Sequence, residues 1–315
     1  MSSPPPYTQP GAPQTFAPPI IFQQTQINGY VLKADWNSAQ AQVDRLLNAP
    51  SGGNLNFRAI SSHVILYDAV FGKAYFKSTQ SMGWSREREV GIWIPLLQMT
   101  PDSFSPIRLC CLSPYLFVDN PVALCTGREV YGFFKQWGSI ASATFAGTGR
   151  STFLEVLGVE QFSDQTQIGQ VPLLSVTQKD AGPNPTVLTS IADLGKFLFT
   201  ALEIGKTSGS PGPTITDAQW QALLAKGASL VFLKEFRDGS ESETACYVAV
   251  TQVNPTIDSF VSASLGGAFD FLLCPLASHP LQQEYGLTTQ PGLASFSLQV
   301  DMTFPGANIL WKAPT

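Results

Sequence analysis

The chain has 315 residues, of which 44% are hydrophobic and 13% are charged, and its formal net charge is −5. A net negative charge without any basic run argues against nucleic acid as a partner, and no apolar run is long enough to cross a membrane. The charged share is about half the usual value, which predicts a well-buried core and an extensive interface between subunits.

The chain starts with a segment rich in Pro, Gln and Thr that continues to about residue 19. This segment has neither a basic start nor an apolar centre, so it does not have the pattern of a secretory signal. We assign residues 1–25 to a flexible arm, or an arm that packs on a neighbouring subunit. Residues 26–315 are then predicted to form the folded domain.

Short β-rich runs separated by turn residues dominate that domain. Strands are predicted at residues 30–36, 63–71, 90–97, 108–118, 152–159, 171–177 and 295–304, and helices at 38–47 and 120–130. We expect a mainly β fold, a β-rich α+β arrangement with peripheral helices. Its sheet should be a closed antiparallel barrel or a double layer, because closure removes exposed strand edges.

Residues 187–227 differ from the rest of the domain. Residues 187–204 form an apolar helical stretch, and a second helix should begin at a capping box made by Thr216 and Gln219 and end at Gly227. We interpret this block as an inserted helical pair. It could serve as a lid, as an interface element, or as a peripheral decoration without a functional role.

Cysteine and histidine usage indicates neither disulfides nor metal binding. The five cysteines are Cys110, Cys111, Cys125, Cys246 and Cys274, and their spacing does not fit a metal site. Reduced thiols in a cytoplasmic protein are therefore expected. His63 and His279, the only histidines, are too isolated to indicate a metal site or a hydrolase triad, so we expect no metal or other cofactor.

One lysine lies in a chemically unusual environment. Lys135 follows an Arg-Glu pair and is flanked by Phe133, Phe134 and Trp137. An ordinary lysine has a pKa of about 10.4, but apolar surroundings lower the pKa, and a neutral buried lysine can attack a ketone to form an imine. The alternative is a surface lysine whose stem lies on aromatic rings while its ammonium group reaches water.

Two segments together resemble the acetoacetate decarboxylase family. Residues 89–95 read Glu-Val-Gly-Ile-Trp-Ile-Pro, like that family's Glu-x-Gly-x-x-Ile-Pro run, and Asp119-Asn120 and Gly127-Arg128-Glu129 follow in the family's order. Residues 232–239 and 269–281 continue the resemblance, which covers the chain from about residue 28 to its end. It implies a cone-like β-barrel with an internal pocket, a homo-oligomer, and imine formation on Lys135 with Glu89 as the active-site carboxylate.

The resemblance also implies further pocket residues. Asp68 falls where the family has a second acid, and Lys33 falls where it usually has an arginine. We expect Lys33 to pair with Asp68 or to hold a substrate carboxylate; alternatively, the two form a strand-edge pair without catalytic weight. Arg128 and Glu129 are expected mainly to support the lysine segment, with Arg128 also a candidate for binding a substrate carboxylate.

The chain departs from the family's pattern beside the lysine. Gln136 replaces a second lysine, and Phe134 replaces a proline. Without a neighbouring cation, a lowered pKa of Lys135 would have to come from burial, with Phe134 and Trp137 as the expected sources. Glu89 would transfer protons or orient the substrate; alternatively, the alternating charges of residues 85–89 form a solvated loop. The spacing to Ile94-Pro95 favours Glu89 over Glu87.

These observations predict a lyase that decarboxylates a β-keto acid through an imine on Lys135, with a keto acid or ketone as its small-molecule partner. The first alternative is aldol or dehydration chemistry on a keto acid or polyketide-like compound, since an imine also leads to those reactions. The second alternative is a barrel that binds a hydrophobic small molecule without catalysis.

Overall fold

The computed structural model describes residues 6–8, 15–77, 83–101, 105–144, 150–178, 186–204, 212–292 and 294–314. The strands in order are β1 (Ile20–Lys33), β2 (Asn56–Ala59), β3 (His63–Phe76), β4 (Ser85–Met99), β5 (Pro106–Val118), β6 (Lys135–Thr144), β7 (Arg150–Gly158), β8 (Gly169–Gln178), β9 (Val187–Leu188), β10 (Ser229–Arg237), β11 (Ala245–Val253), β12 (Thr256–Leu265), β13 (Phe269–Leu273), β14 (Gln290–Pro291), β15 (Ala294–Phe304) and β16 (Asn308–Lys312).

Helices are few and short. They are α1 (Trp36–Val43), α2 (Pro121–Thr126), α3 (Ile191–Ala201), α4 (Asp217–Leu224) and α5 (Leu281–Tyr285). Two π-helical turns, Asp44–Asn48 and Gly127–Tyr131, extend α1 and α2. The helices in the described parts of the chain are all too short or too polar to cross a membrane. The predicted mainly β class is confirmed.

The described strands form one 16-stranded sheet whose main path runs β14-β13-β8-β7-β6-β5-β4-β3-β1-β15-β12-β9. Within the described residues no pairing joins β14 to β9. The sheet is therefore open there, and the predicted closure of the barrel is wrong. The sheet is also not wholly antiparallel, because β5 pairs in parallel with β6 and with β10. A parallel pair needs a crossover between its strands, and α2 with its π-helical turn provides the crossover from β5 to β6.

Several element boundaries differ from the predicted ones. Residues 20–25, assigned above to the arm, form the start of β1. Strand β4 begins at Ser85 rather than at residue 90, so the charged run lies inside a strand and is not a solvated loop. Residues 187–188 form β9, and the helix predicted from residue 187 begins only at Ile191. The capping box of Thr216 and Gln219 at α4 is confirmed.

The two faces of β3 separate two environments. Tyr67, Ala69 and Phe71 face a cavity, whereas Asp68 bonds to side chains of β6 and β7 on the opposite face. This separation follows from the alternation of side chains along a strand. The cavity-facing side carries the candidate site.

Candidate active site

Lys135 is the first residue of β6 and is brought there by the α2 crossover. Asn120 caps α2 by accepting hydrogen bonds from the backbone N–H groups of Val122 and Ala123, as an N-terminal cap should. Gly132 ends the π-helical turn with φ of 83°, a left-handed conformation that favours glycine. The chain can therefore turn sharply before Lys135, whose side chain is buried with 6% of its surface exposed.

Two carboxylates surround the ammonium group of Lys135. Its Nζ lies 2.9 Å from Oε2 of Glu89 and 3.7 Å from Oε1 of Glu87. Both glutamates are buried, and both lie on β4 two positions apart, a spacing that puts side chains on the same face of a strand. The spacing in the sequence favours Glu89 over Glu87, whereas the structure brings both carboxylates to Lys135. The sequence signal that could have identified Glu87 is its two-residue spacing from Glu89. This spacing puts the two side chains on one face only if residues 85–89 form a strand.

Glu89 is held in place by an aromatic pair on the cavity side of the sheet. The Tyr67 hydroxyl donates a hydrogen bond of 2.5 Å to Oε1 of Glu89. The Tyr67 ring stacks on Trp93 with 4.1 Å between ring centroids, which restrains the hydroxyl in turn. Each oxygen of Glu89 thus has its own partner, Tyr67 on one side and Lys135 on the other.

The stem of Lys135 is confined by its own crossover. Gly127 lies so close that a Cβ there would stand 2.9 Å from Cε of Lys135 and nearer still to its Cδ. The Phe133 ring centroid lies 6.0 Å from Nζ. Arg128 is exposed, and its Nη1 donates to the backbone carbonyl of Lys135 at 3.2 Å, so Arg128 braces the start of β6.

The charges of this cluster determine its protonation. Burial by itself lowers the pKa of Lys135, but Glu87 and Glu89 more than offset burial, so the pKa lies above its ordinary value. Burial raises the pKa of Glu87 to about 7, although Lys135 acts in the opposite direction. The expectation that burial alone makes Lys135 neutral is therefore wrong. Lys135 is an ion-paired ammonium group, and it becomes a nucleophile only when its proton moves away.

The cluster lies in the wall of a cavity of about 630 Å³. The cavity walls are mainly apolar and come from β1, β3, β10 and β15, from the crossover, and from the α3–α4 block. Residues that line it include Phe22, Ile27, Phe71, Leu116, Leu194, Leu224, Phe232, Leu298, Val300 and Met302. Such a volume falls in the range of about 300–1,000 Å³ typical of small-molecule sites.

Asp68 and Lys33 do not form the expected pair. Asp68 is buried on the opposite face of β3, where it accepts hydrogen bonds from Thr152 at 2.6 Å and Ser142 at 3.4 Å. In the pairing of β1 with β3, Asp68 lies opposite Asn28, whereas Lys33 lies at the far end of β1. The Lys33 side chain is exposed, and its backbone bonds to Gln290. Both residues lie outside the cavity.

The neighbours of Lys135 in sequence also point elsewhere. Gln136 faces the other side of β6, with its Oε1 at 3.1 Å from Nε2 of His279. Trp137 is 37% exposed, so it does not dehydrate the lysine. Phe134, together with Arg128 and Glu129, lines a separate surface pocket. Of the three predicted aromatic neighbours only Phe133 lines the cavity of Lys135; strands distant in sequence provide the other walls.

Comparison of the sequence with family models and with curated proteins gave no match. Solved structures do match. Acetoacetate decarboxylase from Legionella pneumophila subsp. pneumophila str. Philadelphia 1 has a TM-score of 0.64 at 15% identity, over 99% of this chain and 93% of that chain. The enduracididine biosynthesis enzyme MppR, in complex with the condensation product of pyruvate and imidazole 4-carboxaldehyde, has a TM-score of 0.61 at 12% identity, over 98% of both chains.

An acetoacetate decarboxylase-like enzyme from Sphingomonas wittichii RW1 has a TM-score of 0.55 at 12% identity, over 93% of this chain and 94% of that chain. These likenesses extend over nearly the whole chain. They show that the protein has the acetoacetate decarboxylase-like fold.

Proposed function

We propose that this protein is a Schiff-base enzyme that decarboxylates a β-keto acid through an imine on Lys135. The main support is the position of the Lys135 amine, which is buried beside an apolar cavity and bonded to the carboxylates of Glu87 and Glu89. A solvated surface lysine would have none of these partners. The fold shared with acetoacetate decarboxylase supports the same chemistry by analogy.

The first step is an internal proton transfer. Because the pKa of Lys135 is raised, loss of its proton to bulk water is unfavourable at neutral pH. Glu87, whose pKa of about 7 is close to neutrality, accepts the proton transiently, and attack of the neutral amine on the ketone carbon draws this uphill transfer forward. Glu87 then returns the proton as one water molecule leaves, which gives a protonated imine. A general acid or base close to the operating pH is the most effective kind.

The imine then withdraws electrons from the substrate. The bond between the α-carbon and the carboxylate breaks, its electron pair moves toward the imine nitrogen, and carbon dioxide leaves. The enamine takes up one proton from the solvent on the α-carbon, and Glu89 is well placed to relay this proton, since Tyr67 fixes one of its oxygens and the other faces Lys135. Addition of water releases the ketone and restores the lysine.

A second candidate is aldol or dehydration chemistry from the same enamine. MppR, which shares the fold, has a solved structure in complex with the condensation product of pyruvate and imidazole 4-carboxaldehyde. The cavity of about 630 Å³ has room for a second reactant. The remaining alternative is binding of an apolar compound without catalysis.

Borohydride reduction in the presence of a panel of keto acids and ketones separates catalysis from binding. A reduced adduct on Lys135, located by mass spectrometry, supports the imine, and its absence across the panel refutes both Schiff-base candidates. Release of carbon dioxide from β-keto acids then separates the two. Adduct formation without carbon dioxide favours the aldol or dehydration route.

A further inference from the structure

We infer that the substrate of this site carries an extended, unsubstituted apolar chain, and that its carbonyl head lies at Lys135 while the chain lies along the sheet toward β12. This inference rests on the proposed Schiff-base function for the head of the substrate. It adds the class of compound that the cavity accepts, namely a long-chain carbonyl compound rather than a four-carbon keto acid.

The floor of the cavity is a row of paired residues on neighbouring strands. Glu89 of β4 lies opposite Ala69 of β3, Ala69 lies opposite Ile27 of β1, and Ile27 lies opposite Leu298 of β15. All four line the cavity. The row therefore has a carboxylate at one end and only apolar side chains beyond it.

The length of this floor exceeds what a small substrate needs. The cavity also reaches Ile257 on β12, which pairs with Met302 of β15, so the floor crosses the five strands β4-β3-β1-β15-β12. At about 4.8 Å between neighbouring strands, the wall from β4 to β12 measures about 19 Å along the contour of the sheet. A chain that follows this wall can be longer than a four-carbon keto acid.

The helical block between β9 and β10 forms another part of the cavity wall. Ile191 and Leu194 of α3 and Leu224 of α4 contribute side chains to the lining. The block is tied together by the indole of Trp220, which donates to the carbonyl of Gly195 at 2.8 Å. The block is therefore part of the cavity wall, a role that differs from the lid, interface element and peripheral decoration considered above.

The polar groups along the cavity indicate the chemistry of the chain. The Thr126 oxygen already accepts a hydrogen bond from the backbone N–H of Phe16. Lys226 is exposed, and its Nζ lies 3.4 Å from the carbonyl of Ile107. A chain bearing hydroxyl groups would lose its hydration without gaining equivalent partners along the β1 and β15 walls. A hydrocarbon chain has no such cost.

The test is kcat/KM for a series of 3-oxo acids of increasing chain length, with borohydride trapping of the matching 2-alkanones. We expect KM to fall about fourfold for each added methylene until the cavity is full, as expected for transfer of a buried CH₂ from water. Equal or better kcat/KM for the four-carbon acid would overturn the inference. Such a result would leave the proposed function intact, because adducts would still form.

A pair of variants on β12 localises the chain. Ile257 lines the cavity, whereas Val261 on the same strand does not, and both are exposed enough to accept a larger side chain. Ile257→Trp should lower the ratio of long-chain to short-chain kcat/KM at least tenfold. Val261→Trp should keep the ratio of the unmodified protein. Equal ratios in both variants would place the chain elsewhere and contradict the inference.

Calorimetric binding of 2-alkanones to Lys135→Arg separates the two proposals. If the chain site exists, affinity should still rise with chain length, because this variant keeps the cation but forms no imine. Length-dependent binding without any adduct in the unmodified protein would refute the Schiff-base function and retain the chain site. Adducts that form to the same extent at every chain length would support the Schiff-base function and refute the chain site.

Discussion

Gly127 packs against the stem of Lys135, and no other residue type fits there without moving the lysine. A Cβ at position 127 would stand 2.9 Å from Cε of Lys135 and closer to Cδ. The backbone at Gly127 is helical, with φ of −59°. The glycine is therefore required by space and not by backbone conformation.

Gly127→Ala should consequently impair the site and not the fold. The added methyl group displaces the amine from Glu89, so borohydride-trapped adduct should decrease at least tenfold. In a helical position alanine is favoured over glycine by about 1 kcal/mol, which offsets part of the crowding, so the thermal midpoint should change little. The control is Gly169→Ala, where a Cβ meets no atom within 4 Å. An unaltered adduct yield in Gly127→Ala would contradict the described contact.

Lys135→Arg and Lys135→Met should both abolish adduct formation. Lys135→Met also leaves two buried carboxylates without a cation, which destabilises a protein by about 3–5 kcal/mol, whereas Lys135→Arg retains the charge. The matched control is Lys234→Met. Burial lowers the pKa of Lys234 as well, but Lys234 does not line the cavity, and its Nζ donates to the carbonyl of Val130. Adduct on Lys234 instead of Lys135 would contradict the assignment of Lys135 as the nucleophile.

The pH profile of kcat/KM should identify the group that accepts the proton of Lys135, because kcat/KM reports the ionisation of the free enzyme. If Glu87 is that group, kcat/KM rises with pH through about 7, the pKa to which burial raises this carboxyl, because only the ionised form accepts a proton. Glu87→Gln should lose this ascending limb. Glu89→Gln should lower kcat by about 10²–10⁴-fold, the range for general acid–base groups, and should keep the inflection. An inflection that survives in Glu87→Gln would remove Glu87 from this role.

Glu87 should also make the protein less stable as pH rises from its ordinary pKa of 4.5 toward 7. In this window the folded state binds more protons than the unfolded state, so the free energy of unfolding falls with increasing pH. The decrease should reach at most about 3.4 kcal/mol, from 1.36 kcal/mol per pKa unit. The raised pKa of Lys135 acts only above its ordinary value of 10.5 and leaves this window unaffected.

Denaturant titrations of the unmodified protein and Glu87→Gln between these pH values give the measurement. The glutamine variant should show a flatter dependence. Parallel curves for the two proteins would indicate that Glu87 is ionised throughout.

Tyr67→Phe should reduce kcat without loss of adduct. It removes the 2.5 Å hydrogen bond to Glu89, and a hydrogen bond to a charged group contributes about 1.5–3 kcal/mol, which corresponds to about 10- to 100-fold. The lysine keeps its cavity, so trapping with borohydride should persist. Loss of both readouts together would mean that Tyr67 supports the cavity as a whole and does not act through Glu89.

The sequence identified the parts of the site that depend on local order. Lys135 and Glu89 lie in segments with recognisable spacing, and the structure brings their charged atoms to 2.9 Å. The mainly β class was predictable from alternation along the strands. These features need only short-range information, namely residue type, spacing and turn residues.

What the sequence did not reveal depends on pairing between distant strands. Asp68 lies next to cavity-facing residues in sequence, yet strand alternation places it on the opposite face. Phe134 and Trp137 lie within two residues of Lys135 in the sequence, but neither lines its cavity. Most of the side chains that exclude water from the lysine belong to strands distant in sequence. The effect of Glu87 on the pKa of Lys135 can be predicted only if β4 is known to begin at Ser85, because only then do Glu87 and Glu89 share a face of the strand. The raised pKa of Lys135 follows from that same geometry.

The row of residues from Glu89 to Leu298 separates the groups that react from the side chains that bind the rest of a guest molecule. The reacting groups are carried by β4 and β6, while other parts of the cavity wall are formed by β15, β12 and the α3–α4 block. Substitutions at one end need not disturb the other. Selectivity for the size of the guest molecule can therefore diverge, in nature or by redesign, while the reaction itself is preserved.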